Sequence, residues 1–123
     1  MAENDVDSGV ANGVIYIDQE DGIKRVMNNS KLYIKLLDKF RTGTSPDELF
    51  KTLEAGDYEK AQVAVHTIKG VAANLSLQEL YKQALELETQ IKTRAVHNGA
   101  PEAFRTCFDV TLQCIDMVIK QHG

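Results

Sequence analysis

Hydrophobic residues recur every three or four positions along most of the chain, which is the spacing of amphipathic helices. Three long stripes follow one another from residue 57 onward. They consist of Ala61, Ala64, Val65, Ile68, Ala72 and Leu75; of Leu77, Leu80, Tyr81, Ala84, Leu87, Ile91 and Ala95; and of Phe104, Cys107, Phe108, Thr111, Ile115 and Val118. Shorter stripes lie within residues 33–40 and 49–53. The nearest approach to a strand is the short run 14–17, from which we predict no sheet.

Capping and turn residues mark where these helices begin and end. The run 45–48 has a serine N-cap followed by proline at the first helical position, and the run 76–79 has the spacing of a capping box. Asp57, directly after Gly56, is a further predicted N-cap. Asn98-Gly99 predicts a helix C-terminus and a turn before Pro101 opens the last helix.

Short connections at residues 75–77 and 97–101 make the three long helices antiparallel neighbours, and the segments within 30–54 close the fourth side. We therefore predict an all-α fold, namely an antiparallel up-and-down four-helix bundle with a short additional N-terminal helix near residues 18–27. Residues 1–13 are predicted to be a disordered N-terminal tail. Residues 14–123 are predicted to form a single helical bundle domain.

Composition excludes several classes of function. The chain of 123 residues has a net charge of −4, whereas nucleic-acid binders need clustered positive charge. No apolar run approaches the ~18 residues of a membrane span, and the N-terminus lacks the features of a signal peptide. Cys107 and Cys114 are seven residues apart on a predicted helix, about 10 Å along its axis, so we expect reduced thiols rather than a disulfide or a zinc site. We expect a cytoplasmic monomer that binds neither nucleic acid nor membrane.

The helix over residues 57–75 carries an unusual outward face. With about 100° per residue and the centre of its hydrophobic stripe at zero, His66 points about 150° away and Gly70 about 170° away. An interior glycine costs about 1 kcal/mol of helix stability, so Gly70 needs a reason. Lys69 lies one turn from His66, within side-chain reach of it. The outward face is completed by Gln62, Val63 and Ala73.

These residues predict a site that carries a phosphoryl group. An imidazole is largely neutral near pH 7 and offers a nitrogen lone pair for nucleophilic attack. Lys69 supplies positive charge for a phosphoryl group on that nitrogen, and we expect Lys69→Ala to leave the fold intact. Gly70 gives a partner close access, with Gln62, Val63 and Ala73 as the docking surface.

The run His66-Thr67-Ile68-Lys69-Gly70-Val71-Ala72-Ala73-Asn74-Leu75 resembles the H-[ST]-[LI]-K-G-x-[AS]-x-[NA]-[LI] signature of histidine-containing phosphotransfer (HPt) domains. The resemblance extends over roughly residues 15–120. Within that span, residues 17–25 are similar to the family's opening helix, 33–40 to its second helix and 80–88 to its L-x3-A-x2-L-E pattern. Ser76 stands where the family usually has glycine, and we expect it to cap the next helix instead.

The resemblance implies a phosphorelay phosphocarrier that is not itself an enzyme. His66 would take a phosphoryl group from the aspartyl phosphate of one response-regulator receiver domain and pass it to the aspartate of another, with a hybrid sensor kinase upstream. The chain has no glycine-rich phosphate loop for ATP. No cofactor or metal is expected on this chain, and the receiver would supply Mg²⁺.

Three polar side chains on the next helix are candidates for supporting roles. Glu88 falls near the centre of the stripe over residues 77–95, within about one turn of the level of His66. It either orients the imidazole or Lys69, or extends from the bundle edge to pair with a lysine. Gln78 and Gln83 are candidates for donating hydrogen bonds near the phosphate.

Two other functions remain open on the residues alone. The first is a non-catalytic helical module that docks receivers or other signalling proteins without carrying phosphate. The second is a carboxylate-type metal bundle, which the outward direction of Glu59 and His66 disfavours. Charge also divides along the chain: residues 1–22 hold six acidic residues and no basic one, or −6, and residues 23–123 hold 14 basic and 12 acidic, or +2. A nearly neutral bundle suits the approach to an acidic receiver pocket.

Overall fold

The computed structural model describes residues 9–122, and most of the regular structure in this range is helical. The helices are α1 (Gln19–Arg25), α2 (Ser30–Gly43), α3 (Asp47–Glu54), α4 (Tyr58–Asn74), α5 (Gln78–Lys92) and α6 (Ala100–His122). Two strands, β1 (Val10–Ala11) and β2 (Val14–Ile15), precede them. The predicted all-α class is confirmed, and α1 lies where the short N-terminal helix was expected.

The helices pack by burying the faces that their hydrophobic stripes mark. Helix α4 packs against α5, α5 against α6 and α6 against α2, while α3 covers α4. The largest fully buried side chains include Tyr33, Leu37, Leu49, Val65, Leu80, Ile91, Phe104, Phe108 and Ile115. These contacts form one helical bundle, in which the specific four-helix topology stays a prediction. Two members of the second stripe, Tyr81 and Ala95, are exposed, the latter because α5 has already ended at Lys92.

The first described residues form a hairpin rather than a tail. Strands β1 and β2 pair antiparallel, and the Gly9 carbonyl oxygen accepts hydrogen bonds from the N–H groups of Tyr16 and Ile17 at 2.8 and 3.0 Å. Ala11 and Ile17 are buried in the core. The expected disordered tail over residues 1–13 is therefore wrong for residues 9–13, because burial and hydrogen bonds to residues 16–17 order them. Residues 1–8 lie outside the described part of the chain.

The turn between α4 and α5 also differs from expectation. Ser76 has a φ of +56°, in the left-handed region that favours glycine. Its hydroxyl donates a hydrogen bond to the Asp21 carboxylate, whereas α5 has Leu77 at its N-cap and no side-chain cap. The predicted capping box at residues 76–79 is wrong. The serine keeps the backbone conformation of a glycine and ties the turn to α1.

Tyr33 secures the same end of the bundle. Its hydroxyl donates a hydrogen bond to the Leu75 carbonyl oxygen at 2.7 Å. Its ring packs so closely on α1 that a Cβ built on Gly22 would lie 2.3 Å from Tyr33 Cε1. Gly22 is therefore a requirement of packing, since any side chain there meets the tyrosine ring.

The remaining helix boundaries agree with the sequence to within a few residues. Asp57 caps α4 as predicted, with its carboxylate accepting a hydrogen bond from the Lys60 N–H at 3.2 Å. Helix α3 begins at Asp47 with Pro46 at its N-cap, so the predicted serine N-cap at residue 45 is wrong, although Ser45 Oγ accepts a hydrogen bond from the Asp47 N–H at 3.2 Å. Helix α5 ends at Lys92 instead of near residue 97, and a longer connection leads to α6.

Candidate functional site

The imidazole of His66 lies on the outward face of α4, as its position in the helical pattern predicts. Its side chain is 67% exposed, while Val65 and Ile68 on the opposite face are buried. The hydrophobic face of α4 is held by α3 and α5. A rigid, packed helix therefore presents the ring to solvent.

Glu88 on α5 joins His66 and Lys69 into one cluster. His66 Nδ1 lies 2.9 Å from Glu88 Oε2, and Lys69 Nζ donates a hydrogen bond to Glu88 Oε1 at 2.6 Å. The Glu88 side chain is 3% exposed and that of Lys69 is 20% exposed. The geometry combines the two alternatives for Glu88, because this carboxylate both contacts the imidazole and pairs with a lysine. The catalytic consequence stays a prediction.

The bond to Glu88 determines the tautomer of His66. An ionised carboxylate has no proton to donate, so the hydrogen of the bond belongs to Nδ1 of the imidazole. In the neutral ring the lone pair then resides on Nε2. The cluster therefore leaves the lone pair of this exposed histidine on Nε2.

Glu88 remains ionised although it is buried. Burial by itself raises the pKa of a carboxyl group, and this is the largest influence on Glu88. The hydrogen bonds from Lys69 and His66, together with the positive charges of Lys69 and Lys92, outweigh it and lower the pKa of Glu88 below its ordinary value. The carboxylate is thus stabilised by the same groups that it orients.

Gly70 is exposed, and its side of the helix is open. A Cβ built at this position would meet no atom within 4 Å. Packing within residues 9–122 therefore does not require glycine here, in contrast to Gly22. The open surface is consistent with the predicted access for a partner.

The predicted docking residues fall on two neighbouring surfaces. Gln62 and Val63 line the same groove as His66, and Val63 is 67% exposed. Ala73 instead lines a groove next to α1, together with Asp21, Arg25, Ala72, Ser76, Gln78, Tyr81 and Lys82. The docking role of all four residues, Gly70 included, stays a prediction.

The groove at His66 contains two residues that sequence reasoning missed. Its lining consists of Gln62, Val63, His66, Thr67, Glu88 and Lys92. Lys92 follows Glu88 by four positions on α5, a spacing that places both on one face of a helix. This spacing is the signal that could have identified Lys92. Thr67 directs its hydroxyl to the Val63 carbonyl oxygen at 2.9 Å.

Gln78 and Gln83 are not among the residues that line the His66 groove, and their predicted donation near the phosphate stays a prediction. Gln78 Nε2 donates a hydrogen bond to Asp18 Oδ2 at 3.2 Å, beside the groove next to α1. Gln83 lines a separate groove with Gln90 and His97. Both glutamines lie on α5, but the position of each along the helix directs it to a different surface.

Across residues 9–122, no three His, Cys, Asp or Glu side chains come together in a way that could hold a metal ion. Cys107 and Cys114 are both free and buried. None of the helices in this part of the chain is long and apolar enough to cross a membrane.

Comparison with known proteins gives one match. The family model described as Hpt domain matches residues 35–120. The match begins within α2 and runs nearly to the end of α6, so it includes His66, Lys69, Gly70, Glu88 and Lys92. Among curated proteins and among solved structures, nothing matches the chain.

Proposed function

The chain belongs to the Hpt domain family, and from that premise we propose that it is a phosphocarrier in which His66 relays a phosphoryl group between two receiver domains. The family works with response-regulator receivers in two-component phosphorelays. The observation that carries the proposal is the exposed imidazole whose Nδ1 is bound to the buried Glu88 carboxylate. This arrangement directs a lone pair on Nε2 toward an approaching partner.

In the first transfer, His66 Nε2 attacks the phosphorus of an aspartyl phosphate on the donor receiver. The N–P bond forms as the P–O bond to the aspartate breaks, and the aspartate leaves as a carboxylate. The phosphorylated ring keeps its Nδ1 hydrogen and so becomes positively charged. The Glu88 carboxylate, 2.9 Å from Nδ1, stabilises this charge.

In the second transfer, the aspartate of the acceptor receiver attacks the same phosphorus and the N–P bond breaks. His66 then leaves as the neutral imidazole with which the cycle began. Because Glu88 holds the ring in one orientation throughout, both transfers use the same atom and the same line of approach. Lys69 adds positive charge beside the site, and Glu88 holds its ammonium group in place.

The partners are expected to supply what this chain lacks. We propose that each receiver brings the Mg²⁺ ion that neutralises the transferring phosphoryl group, and that the chain binds no cofactor of its own and is not an enzyme. Gln62, Val63, Gly70 and Ala73 would form the docking surface. We further propose a cytoplasmic monomer, a four-helix bundle topology and a hybrid sensor kinase upstream.

The test is phosphoryl transfer from a receiver domain that has been charged with a small-molecule phosphodonor. The wild-type chain is expected to acquire phosphate that is labile in acid and stable in base, as a phosphoramidate is. His66→Gln is expected to remain unlabelled with an unchanged circular dichroism spectrum. His97→Gln, which alters another exposed histidine, serves as the matched control and is expected to label normally.

Two outcomes would refute the carrier. One is a wild-type chain that binds charged receivers but never acquires label, which would favour the alternative of a docking module without phosphate chemistry. The other is label that persists in His66→Gln, which would assign the phosphate to another residue.

A further inference from the structure

Lys92 is the lysine found among the described residues that line the His66 groove. Of the six residues that line the groove, Glu88 and Lys92 are the two that carry full charge at neutral pH. Lys92 is exposed. Within residues 9–122 its side chain makes no hydrogen bond or ion pair, although its positive charge helps to lower the pKa of Glu88. Lys69 differs from Lys92, because its ammonium group is bound to Glu88 at 2.6 Å and because it is not among the residues that line the groove.

The charges around His66 show what Lys92 adds. Glu88 and Lys69 form a contact pair at 2.6 Å, and the groove residues Gln62, Val63 and Thr67 are uncharged. A phosphoryl group on His66 brings a charge of about −2 near neutral pH. Lys92 adds to this site an ammonium group that lines the groove itself and that forms no ion pair among the described residues 9–122.

The position of Lys92 suits this role. It follows Glu88 by one turn of α5, a rise of about 6 Å, and its flexible four-carbon side chain can cover that distance. His66 Nδ1 faces Glu88, so a phosphoryl group on Nε2 would lie on the opposite side of the ring, beside a groove that Lys92 also lines. Lys92 can swing onto its oxygens without breaking any bond of the free protein.

We propose that Lys92 is a second phosphoryl-binding residue, which contacts the phosphoryl oxygens directly when the group resides on His66 Nε2. This inference rests on the proposed phosphocarrier function. It assigns different tasks to the two lysines. Lys69 keeps Glu88 ionised and in place, whereas Lys92 binds the phosphoryl group itself.

The experiment phosphorylates the full chain with phosphoramidate, a small donor that removes any contribution from receiver docking. Lys92→Ala is expected to slow formation of phospho-His66 by about three- to tenfold, as the loss of an exposed charge-assisted hydrogen bond would. Lys92→Arg is expected to keep the rate within about twofold. Lys82→Ala removes a lysine of the same helix that lines the groove next to α1, so it should label at the wild-type rate.

Phosphorus NMR supplies a readout that a structural role would not change. A cation in contact with the phosphoryl group favours its dianion, so Lys92→Ala should raise the pKa of the phosphoryl group on His66, and Lys82→Ala should not. A second comparison uses Glu88→Gln, which releases Lys69. In the Glu88→Gln variant, Lys92→Ala should slow labelling less than it does in the wild-type chain, because the released Lys69 can contact the phosphoryl group in place of Lys92.

Each outcome decides the matter. Equal labelling rates and equal phosphorus titrations for Lys92→Ala and Lys82→Ala would overturn the inference and leave the carrier function standing. A wild-type chain that phosphoramidate does not label at His66 would overturn both. Slower labelling and a raised phosphoryl pKa in Lys92→Ala alone would support the inference.

Discussion

Replacing Lys69 by methionine should destabilise the protein in a way that depends on pH. Methionine keeps most of the aliphatic length of lysine but removes the ammonium group. In the wild-type protein, that group lies 2.6 Å from Glu88 Oε1, on a carboxylate that is 3% exposed. Among the described residues 9–122, the substitution therefore leaves His66 as the one side chain that hydrogen-bonds to this buried carboxylate.

The magnitude follows from the burial of Glu88. A hydrogen bond to a charged group contributes about 1.5–3 kcal/mol, and the penalty for an unsatisfied buried charge is of similar size. We therefore expect the free energy of unfolding to fall by about 1.5–3 kcal/mol at pH 7. For a domain of this size the melting temperature should fall by about 5–15 °C. From the sequence we expect Lys69→Ala to leave the fold intact. The ion pair between Lys69 and Glu88 indicates that removing the ammonium group also lowers the free energy of unfolding, even where the fold survives.

The pH dependence has a definite sign. In the wild-type protein the pKa of Glu88 is lowered, so its stabilising contribution is present above the unfolded pKa and is lost as pH falls through the folded value. In Lys69→Met, burial is opposed by the bond to His66 and the positive charge of Lys92 but no longer by Lys69, so the pKa of Glu88 should rise. The carboxylate then costs stability at neutral pH, and this cost disappears as the group takes up a proton. The difference between the two proteins should be largest near pH 7 and shrink below about pH 4.5.

Thermal unfolding followed by circular dichroism between pH 4 and pH 8 measures this difference. Lys82→Met is the matched control, because its side chain is 73% exposed and lies 3.7 Å from Glu79. Such an exposed pair contributes less than about 1 kcal/mol, so its loss should have little effect at any pH. A Lys69→Met protein that melts with the control at pH 7, or whose deficit grows as pH falls, would refute the reasoning.

Three further predictions concern access, packing and the cysteines. Gly70→Gln should raise stability by about 0.5–1 kcal/mol through helix propensity yet slow transfer from a receiver; unchanged transfer would exclude the access role. Gly22→Ala should lower the free energy of unfolding by about 1–3 kcal/mol, because the Cβ of the alanine would lie 2.3 Å from Tyr33 Cε1. Urea unfolding measures this loss, and a variant as stable as the wild-type protein would contradict the prediction. Burial raises the pKa of Cys107 to about 12 and that of Cys114 to about 11. A disulfide reagent at pH 8 should therefore react with neither thiol until the protein unfolds. Rapid reaction of the native protein would contradict the burial of the two thiols.

Local pattern was sufficient for most of the fold. The three-to-four residue spacing of apolar side chains predicted which face of each long helix is buried, because helical geometry relates sequence spacing directly to direction. Caps that use a side chain next to the helix were also predictable, as Asp57 shows. Errors arose where a distant contact overrode the local rule. The Ser76 hydroxyl reached Asp21, 55 positions away, rather than the first turn of its own helix.

The same distinction between local pattern and distant contacts applies to the residues of the His66 site. The sequence by itself determined that His66, Lys69 and Gly70 share one surface of α4 and that His66 points outward, since these are properties of one helix. Only the tertiary structure decided that Glu88, 22 positions from His66, binds both His66 and Lys69, while the Lys92 side chain forms no ion pair within residues 9–122. The physical reason is that partners across two helices depend on the rotation and register of α5 against α4. Burial of the core that α4 and α5 share sets this rotation and this register, and no local sequence pattern encodes either of them.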